Sequence, residues 1–170
     1  MEGHAIGDPS AWVVRWTSSL APSSRVLDVA CGGGRHARYL AGLGHAVTAI
    51  DRDPPSIPGV RCLRADLEDG GPWPLAGEAF DAVVVANYLH RPLFPALAAA
   101  LAPGGVLLYE TFMAGNERFG RPSSPAFLLR PGELWSAFDG LQIVAFEQGL
   151  ARSPNPAMRQ RLCARRPPNG

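Results

Sequence analysis

Seven short apolar runs, separated by loops rich in glycine, proline and serine, constrain the fold of this chain more than any other feature. The runs lie at residues 25–30, 46–51, 60–64, 80–86, 106–111, 141–146 and 159–165. Most are apolar at every position rather than at alternate positions, as expected for parallel strands covered on both faces. Helical patterns separate several of them, at 9–20, 35–43, 92–101 and 131–138, with Pro131 expected in the first turn of the last helix. The sequence therefore predicts an α/β fold with a doubly wound, seven-stranded sheet and helices on both faces.

Two connections depart from a simple alternation of strands and helices. Residues 54–59 contain three prolines, too many for a crossover helix, so one face of the sheet is expected to be thinly covered there. Residues 147–158, between the last two strands, show no helical pattern either. We therefore expect a hairpin at this point, which makes the sheet mostly parallel with its last strand antiparallel.

The composition limits the classes of function. The 170 residues, 46% hydrophobic and 18% charged, are enough for one domain with its own core. We expect a single domain over 1–170, with an N-terminal helical segment at 1–24, a core at 25–166 and a tail at 167–170. The net charge is +1 and no apolar run approaches the length of a membrane span, so neither a nucleic acid nor a membrane is expected as a partner. We expect a monomer or a homodimer.

The cysteines and the N-terminal sequence indicate a compartment. Cys31, Cys62 and Cys163 are too far apart for a disulfide framework or a zinc site, so we expect reduced thiols and no bound metal. The opening sequence MEGHAIGDPSAW has neither the basic nor the apolar region of a secretory signal. The cytoplasm is the expected location.

The segment VLDVACGGGRHARYL, at 26–40, carries the strongest functional signal. It reads as an apolar strand that passes through a glycine loop into a helix, and glycines let the backbone approach a ligand closely. The spacing Gly32-x-Gly34-x-x-Ala37, with Asp51 17 residues after Gly34, also fits a dinucleotide fingerprint. Asp28 argues against a dinucleotide, because its carboxylate would repel a pyrophosphate but can hold an ammonium group.

With four further motifs, the chain resembles the class I S-adenosylmethionine-dependent methyltransferases across nearly all of its length. After the loop Asp28-x-x-Cys31-Gly32-x-Gly34 come the acid Asp51, the pair Asp66-Leu67, FDAVVVANYLH at 80–90 and LAPGGVLLYETF at 101–112. The resemblance implies a Rossmann-like fold, S-adenosylmethionine as cofactor and S-adenosylhomocysteine as product. It also implies methyl transfer, and we expect a small-molecule acceptor.

The resemblance also implies which residues bind the cofactor. Asp51 is expected on the ribose hydroxyls, Asp66 on the adenine amine, and Arg35 on the methionine carboxylate. The full expected set is Asp28, Cys31, Gly32, Gly34, Arg35, Asp51, Arg52, Asp66, Leu67 and Asn87. Each of the three acids also has a purely structural interpretation, as a helix cap, a turn residue or a loop acid.

The acceptor is expected beyond the carboxyl ends of the fourth and fifth strands, where open α/β sheets bind ligands. Tyr88 and His90 follow the fourth strand and are the candidate catalytic residues if the acceptor carries a proton. Methyl transfer is an in-line displacement that depends mainly on alignment, so a general base is optional. Packing against the helix that follows is the alternative interpretation of both side chains.

The C-terminal half is similar to the tellurite-resistance branch of the family, through the run PSSPAFLLRPGELWSAFDGLQIVAFEQG at 122–149. Members of that branch methylate chalcogen oxyanions such as tellurite or selenite. Arg152 and Arg159 match basic positions of the branch, and arginine forks suit oxyanions. Ala151 stands where the branch often has histidine. The expected substrate-binding residues are Arg91, Arg118, Arg152 and Arg159.

Two alternatives come from other functional classes. One is a non-catalytic cofactor-binding subunit that contacts another protein through the thinly covered sheet face. The other is a nicotinamide-dependent oxidoreductase, against which both Asp28 and the antiparallel last strand argue.

We expect Asp51→Ala to abolish binding of S-adenosylmethionine, because the substitution removes the carboxylate that would accept both ribose hydroxyls. Calorimetric titration measures the affinity directly. An affinity equal to that of the unsubstituted protein would contradict the role of Asp51.

Overall fold

All seven apolar runs become strands of one sheet in the computed structural model, which describes residues 6–168. The strands are β1 (Arg25–Val29), β2 (Ala46–Asp51), β3 (Arg61–Arg64), β4 (Phe80–Ala86), β5 (Leu101–Phe112), β6 (Gln142–Ala151) and β7 (Ala157–Arg165). The helices are α1 (Ala11–Thr17), α2 (Arg35–Gly42), α3 (Phe94–Ala99) and α4 (Glu133–Ala137). Short 3₁₀ turns lie at Arg91–Leu93, Asn116–Arg118 and Pro125–Phe127. Residues 1–5 of the predicted N-terminal segment and 169–170 of the predicted tail lie outside the described residues.

The strand order is β3-β2-β1-β4-β5-β7-β6. The first five strands of that order pair in parallel, and β7 is antiparallel to both of its neighbours. The predicted fold class and the antiparallel last strand are therefore confirmed. Because β1 has β2 on one side and β4 on the other, the chain reverses direction across the sheet between β1 and β4. Such a switch point opens a crevice at the carboxyl ends of the two strands.

Three strands, β5, β6 and β7, are longer than the apolar runs predicted. β6 continues to Ala151, because its pairing with β7 runs on to the pair Ala151 and Ala157. The expected loop at 147–158 therefore shortens to 152–156. β5 starts at Leu101, which pairs with Phe80 ahead of an irregularity in the β4–β5 register. Backbone pairing, rather than side-chain hydropathy, sets these ends.

The continuous apolar runs are explained by burial on both faces of the sheet. Successive residues of β1, Val26 and Leu27, enter two different core clusters, and so do Val83 and Val84 of β4. One cluster lies under α3 and α4, and the other lies under α1 and α2. All four side chains are fully buried. A strand with both faces covered has no solvent side on which a polar residue would be favoured.

The helices are shorter than their sequence patterns. α4 begins at Glu133 after Gly132, so Pro131 precedes the helix instead of occupying its first turn. α1 is anchored to the sheet by Trp12, whose indole N–H donates to the carbonyl oxygen of Leu162 at 3.1 Å. No helix within residues 6–168 is long and apolar enough to cross a membrane.

We expect Gly105→Ala to lower the free energy of unfolding by about 1–3 kcal/mol, because a larger side chain in a packed region forces the backbone to move. A Cβ atom at this position in β5 would lie 2.8 Å from the carbonyl oxygens of both Ala102 and Phe80. The control is Gly140→Ala, since nothing lies within 4 Å of a Cβ there. Urea denaturation measures both variants, and equal midpoints would contradict the prediction.

Candidate active site

The backbone is strained at the switch point between β1 and β4. Ala30 follows β1 with a φ of 52°, and Asn87 follows β4 with a φ of 54°. The left-handed conformation costs a residue other than glycine roughly 1–2 kcal/mol. Strain of this kind collects where function requires a particular backbone path, so the outliers direct attention to this crevice.

Three cavities lie side by side along the crevice. The Asp51 cavity (240 Å³) is lined by Ala30, Asp51, Arg52, Ala65, Asp66, Leu67, Glu68, Asn87 and Tyr88. The Asp28 cavity (400 Å³) shares Ala30 and Asn87 with it and adds Asp28 and the glycine loop. The arginine cavity (850 Å³) shares Asn87 and Arg35 with the Asp28 cavity. Asn87 therefore lies where all three cavities meet, and the crevice can hold an extended ligand beside a second one.

The glycine loop leaves open space in the Asp28 cavity. A Cβ atom at Gly32 or Gly33 would have nothing within 4 Å, and both residues line the cavity. Gly34 differs, because its Cβ would lie 2.5 Å from the Cδ1 atom of Ile57 and the residue does not line the cavity. Two glycines thus leave room for a ligand, whereas Gly34, with a φ of 84°, lets α2 begin close to Ile57.

Asp28 is buried in the wall of the Asp28 cavity, with 3% of its surface exposed. Its Oδ2 atom accepts a hydrogen bond from the backbone N–H of Ala37 at 3.1 Å, in the first turn of α2. The glycine that precedes α2 has no side chain to cap the helix, so Asp28 performs that task from the neighbouring strand. Burial raises the pKa of Asp28 to about 7, against the lowering effect of the Ala37 hydrogen bond.

Cys31 also lines the Asp28 cavity as a free thiol. Burial, followed by the charges of Asp28 and Asp51, raises the pKa of this thiol to about 12. A thiol with so high a pKa stays protonated at neutral pH and is a poor nucleophile. The side chain therefore contributes volume and shape to the cavity.

The acids expected to bind ribose and adenine meet in the Asp51 cavity. Asp51 accepts hydrogen bonds from the backbone N–H groups of Gly32 and Asp53, each at 2.9 Å. Asp66 accepts one from the N–H of Glu68 at 2.9 Å. Each carboxylate oxygen keeps a further lone pair, so both acids can accept hydrogen bonds from a ligand as well. Arg52 and Leu67 line the same cavity.

Of the two candidate catalytic residues, one lines a cavity and the other does not. Tyr88 lines the Asp51 cavity, and burial, followed by the charge of Glu68, raises the pKa of its hydroxyl above the usual value. His90 places Nδ1 3.3 Å from Oε1 of Glu68 and lines none of the three cavities. A tyrosine hydroxyl with a raised pKa supplies less phenolate at neutral pH, so Tyr88 is less effective as a general base there.

Arg91, expected at the substrate, instead forms its hydrogen bonds with other residues of the protein. Its Nε and Nη2 atoms donate to the carboxylate of Glu133 at 2.6 and 2.9 Å, and Nη2 also donates to the carbonyl oxygen of Leu128. The hydrogen bond to Glu133 raises the pKa of Arg91. This bidentate pair joins the turn after β4 to the first turn of α4, so Arg91 has a structural role.

The remaining predicted arginines lie in different places. Arg118 is exposed on its 3₁₀ turn and lines none of the three cavities. Arg152 and Arg159 both line the arginine cavity. Glu110 and Arg161 were not among the expected site residues, but they face each other across β5 and β7 at 3.0 Å and line the same cavity. The spacing of Arg159 and Arg161, two residues apart on one strand, indicates that Arg161 lies on the same face of the sheet as Arg159.

The segment before α1 forms one wall of the arginine cavity and is tied to α2. The backbone N–H of Ser10 donates to Nε2 of His36 at 3.0 Å, and Arg35 donates to the carbonyl oxygen of Asp8 at 3.0 Å. Burial lowers the pKa of His36 to about 4, so the imidazole stays neutral and can accept this hydrogen bond. The helix that follows the glycine loop therefore also positions the wall of the neighbouring cavity.

We expect Asp28→Asn to stabilise the protein at pH 8 by about 2–4 kcal/mol, since each unit of pKa shift corresponds to about 1.4 kcal/mol. The folded state holds the Asp28 proton more tightly than the unfolded state, whose pKa is near 3.8. The stability of the unsubstituted protein therefore falls as the pH rises from about 4 to about 7. The amide of Asp28→Asn does not ionise, so the variant does not lose stability in this pH range, and its amide oxygen can still accept the hydrogen bond from the N–H of Ala37.

Thermal unfolding at pH 4 and pH 8 tests this prediction, with Asp139→Asn as the control because Asp139 is exposed. The Asp28→Asn variant should gain stability over the unsubstituted protein only at the higher pH. Equal stabilities of the two proteins at pH 8 would show that the pKa of Asp28 is not raised.

Comparison with known proteins shows which proteins this chain is similar to. Residues 27–109 match the methyltransferase domain family. Over 104 residues the chain is 38% identical to the ubiquinone biosynthesis O-methyltransferase of Xanthomonas campestris. The matched region covers 53% of this chain and 44% of that protein. The chain thus spans less than half the length of the curated relatives that it matches.

Solved structures share the fold over nearly the whole chain. TehB from Haemophilus influenzae superposes with a TM-score of 0.73 at 19% identity, over 91% of this chain and 61% of that chain. The Burkholderia thailandensis 1,6-didemethyltoxoflavin-N1-methyltransferase, solved with 1,6-didemethyltoxoflavin and S-adenosylhomocysteine bound, superposes with a TM-score of 0.68 at 20% identity, over 92% of this chain and 76% of that chain. Residues 27–109 thus match the methyltransferase domain family, and the chain as a whole shares its fold with solved S-adenosylmethionine-dependent methyltransferases.

Proposed function

We propose that this protein transfers a methyl group from S-adenosylmethionine to a small-molecule acceptor. The observation that carries the proposal is the row of three joined cavities at the switch point, with the buried carboxyl of Asp28 in the middle one. The cofactor would extend through the Asp51 and Asp28 cavities. The acceptor would enter from the arginine cavity, beside Asn87.

The residues of the Asp28 cavity fit the amino-acid part of the cofactor. Gly32 and Gly33 leave open space where any side chain would intrude. Asp28 would hold the ammonium group, and a cation next to this buried carboxyl would offset the cost of its ionisation. Arg35, on the rim shared with the arginine cavity, is the candidate partner of the methionine carboxylate.

The Asp51 cavity fits the adenosine part. Asp51 offers two oxygens, each held by one backbone N–H, to the two ribose hydroxyls. Asp66, with the adjacent Leu67, lies in the same cavity and would face the adenine amine. Two of the three cofactor-facing acids, Asp28 and Asp51, are thus held by backbone N–H groups of the glycine loop and α2, which pre-organises them for binding.

The catalytic contribution that we propose is alignment and exclusion of water. When bound, S-adenosylmethionine would supply an activated methyl group, carried on a positively charged sulfur that would leave as the neutral thioether of S-adenosylhomocysteine. Asn87, at the junction of the cavities, is placed to orient the acceptor toward that carbon. Tyr88 and His90 remain candidate catalytic residues, but the raised pKa of Tyr88 and the position of His90 outside all three cavities favour a reaction without a general base.

The sequence resemblance suggests a chalcogen oxyanion, such as tellurite or selenite, as a candidate acceptor. Its support is the similarity of the C-terminal half to the tellurite-resistance branch and the position of Arg152 and Arg159 on the arginine cavity. Guanidinium groups bind oxyanions through paired N–H donors.

Calorimetric titration with S-adenosylmethionine and S-adenosylhomocysteine tests the cofactor. We expect both to bind at one site, and Asp28→Asn to weaken the affinity by about tenfold to a hundredfold, because a hydrogen bond to a charged group contributes about 1.5–3 kcal/mol. Asp139→Asn should leave the affinity unchanged, since Asp139 is an exposed residue far along the chain in the turn before β6. Transfer of a labelled methyl group to tellurite and selenite then tests the acceptor.

Binding of neither compound would overturn the proposal. Binding of reduced nicotinamide dinucleotide in their place would support the oxidoreductase alternative, and binding of both without transfer to any acceptor would support a non-catalytic subunit.

A further inference from the structure

The arginine cavity is larger than an inorganic oxyanion requires. Its volume of 850 Å³ falls in the range of about 300–1,000 Å³ that is typical of sites for organic ligands. A four-atom oxyanion would fill only a small part of it. Trp12, Pro9 and Pro154 give the cavity apolar wall that an inorganic ion cannot use.

The charges around this cavity do not balance. Arg161 is compensated by Glu110 at 3.0 Å and Glu147 at 3.6 Å. By contrast, no carboxylate within the described residues 6–168 forms an ion pair with Arg35, Arg152 or Arg159. With Arg15 and Asp8 included, the cavity is lined by five arginines and three acids, so guanidinium groups are in excess and an anionic ligand would compensate them.

Arg159 is the most constrained of these groups. Its Nη1 atom donates to Oδ1 of Asn87 at 2.7 Å, and its guanidinium carbon lies 4.3 Å from the centre of the Phe112 ring. Burial lowers the pKa of Arg159, and its one side-chain hydrogen-bond partner in the described residues is a neutral amide. Glu110 attracts this cation but is itself paired with Arg161, so Arg159 forms no ion pair of its own within the described residues, and a bound anion would offset the cost of its burial.

The position of Arg159 places such an anion next to the reaction. Asn87, its partner, also lines the Asp28 cavity, where the methyl donor would bind. An anionic group on Arg159 would therefore anchor an acceptor whose remaining atoms lie between the apolar wall and the methyl group. The side chain of Asn87, at the end of β4, reaches Arg159 of β7 across the intervening strand β5.

We propose that the acceptor is an organic anion, in place of the inorganic oxyanion that the sequence resemblance suggests, that its carboxylate or phosphate group binds to Arg159, and that Asn87 and Phe112 position the guanidinium for it. This inference rests on the proposed function and specifies its substrate class. Arg159 is the binding residue, and Asn87 acts through it.

The test uses the protein saturated with S-adenosylhomocysteine and five probes, which are benzoate, its neutral isostere benzamide, phenyl phosphate, inorganic phosphate and selenite. Calorimetry should show at least tenfold tighter binding of benzoate or phenyl phosphate than of benzamide, inorganic phosphate and selenite. The two organic anions distinguish carboxylate from phosphate as the preferred group. Arg159→Gln should remove the preference for the charged probe without changing the affinity for S-adenosylhomocysteine.

The matched control is Arg165→Gln, at the opposite end of β7, where the side chain is exposed and outside the arginine cavity. It should behave as the unsubstituted protein does. Asn87→Asp tests the positioning role, because an aspartate would keep Arg159 in place but neutralise it. That variant should stay folded, with an unchanged or higher melting temperature, and lose the preference for benzoate over benzamide.

Three results would overturn the inference. The first is that selenite binds more tightly than both organic anions. The second is that the preference for organic anions persists in Arg159→Gln. The third is that no charged probe is preferred although S-adenosylhomocysteine still binds. Failure of S-adenosylhomocysteine to bind would instead contradict the proposed function. The two proposals can therefore fail separately.

Discussion

The hydrogen bond from the N–H of Ala37 to the carboxyl of Asp28 is the contact on which the arrangement of the site depends. It joins β1 to the first turn of α2, across a loop whose glycines supply no side chain of their own. The same carboxyl forms the wall of the cavity in which we place the cofactor. One buried acid thus both caps the helix and shapes the binding site. Its raised pKa shows that burial at this position opposes ionisation.

Charge divides the crevice into two parts. Asp28, Asp51 and Asp66 lie on the side of β1, β2 and β3, whereas the arginine cavity lies over the ends of β5, β6 and β7. A positively charged sulfonium cofactor fits the first part, and an anionic acceptor fits the second. Opposite charges on the two ligands would also favour their close approach at Asn87, between the two parts.

The sequence could predict features whose determinants are local. The glycine loop, the strand before it and the helix after it are contiguous in the chain, so 26–40 predicted their geometry. The acids after β2 and β3 could be placed because the carboxyl ends of parallel strands share one edge of the sheet. Arg91 could not be interpreted in the same way, because its partner Glu133 lies 42 residues further along the chain. The position of His90 beside Glu68 is likewise a contact between distant segments.

The sequence by itself determined the fold class, the order of the strands along the chain and the glycine loop between β1 and α2, because apolar runs and glycine spacing act over a few residues. Only the tertiary structure decided which residues line the cavity that we propose for the acceptor. The arginine cavity combines the segment before α1 with residues of β5, β6 and β7, and the register of β7 between its two neighbours brings Arg159 to Phe112 and Arg161 to Glu110. Register is a property of strand pairing, and no single strand encodes which residue of a distant strand it will face.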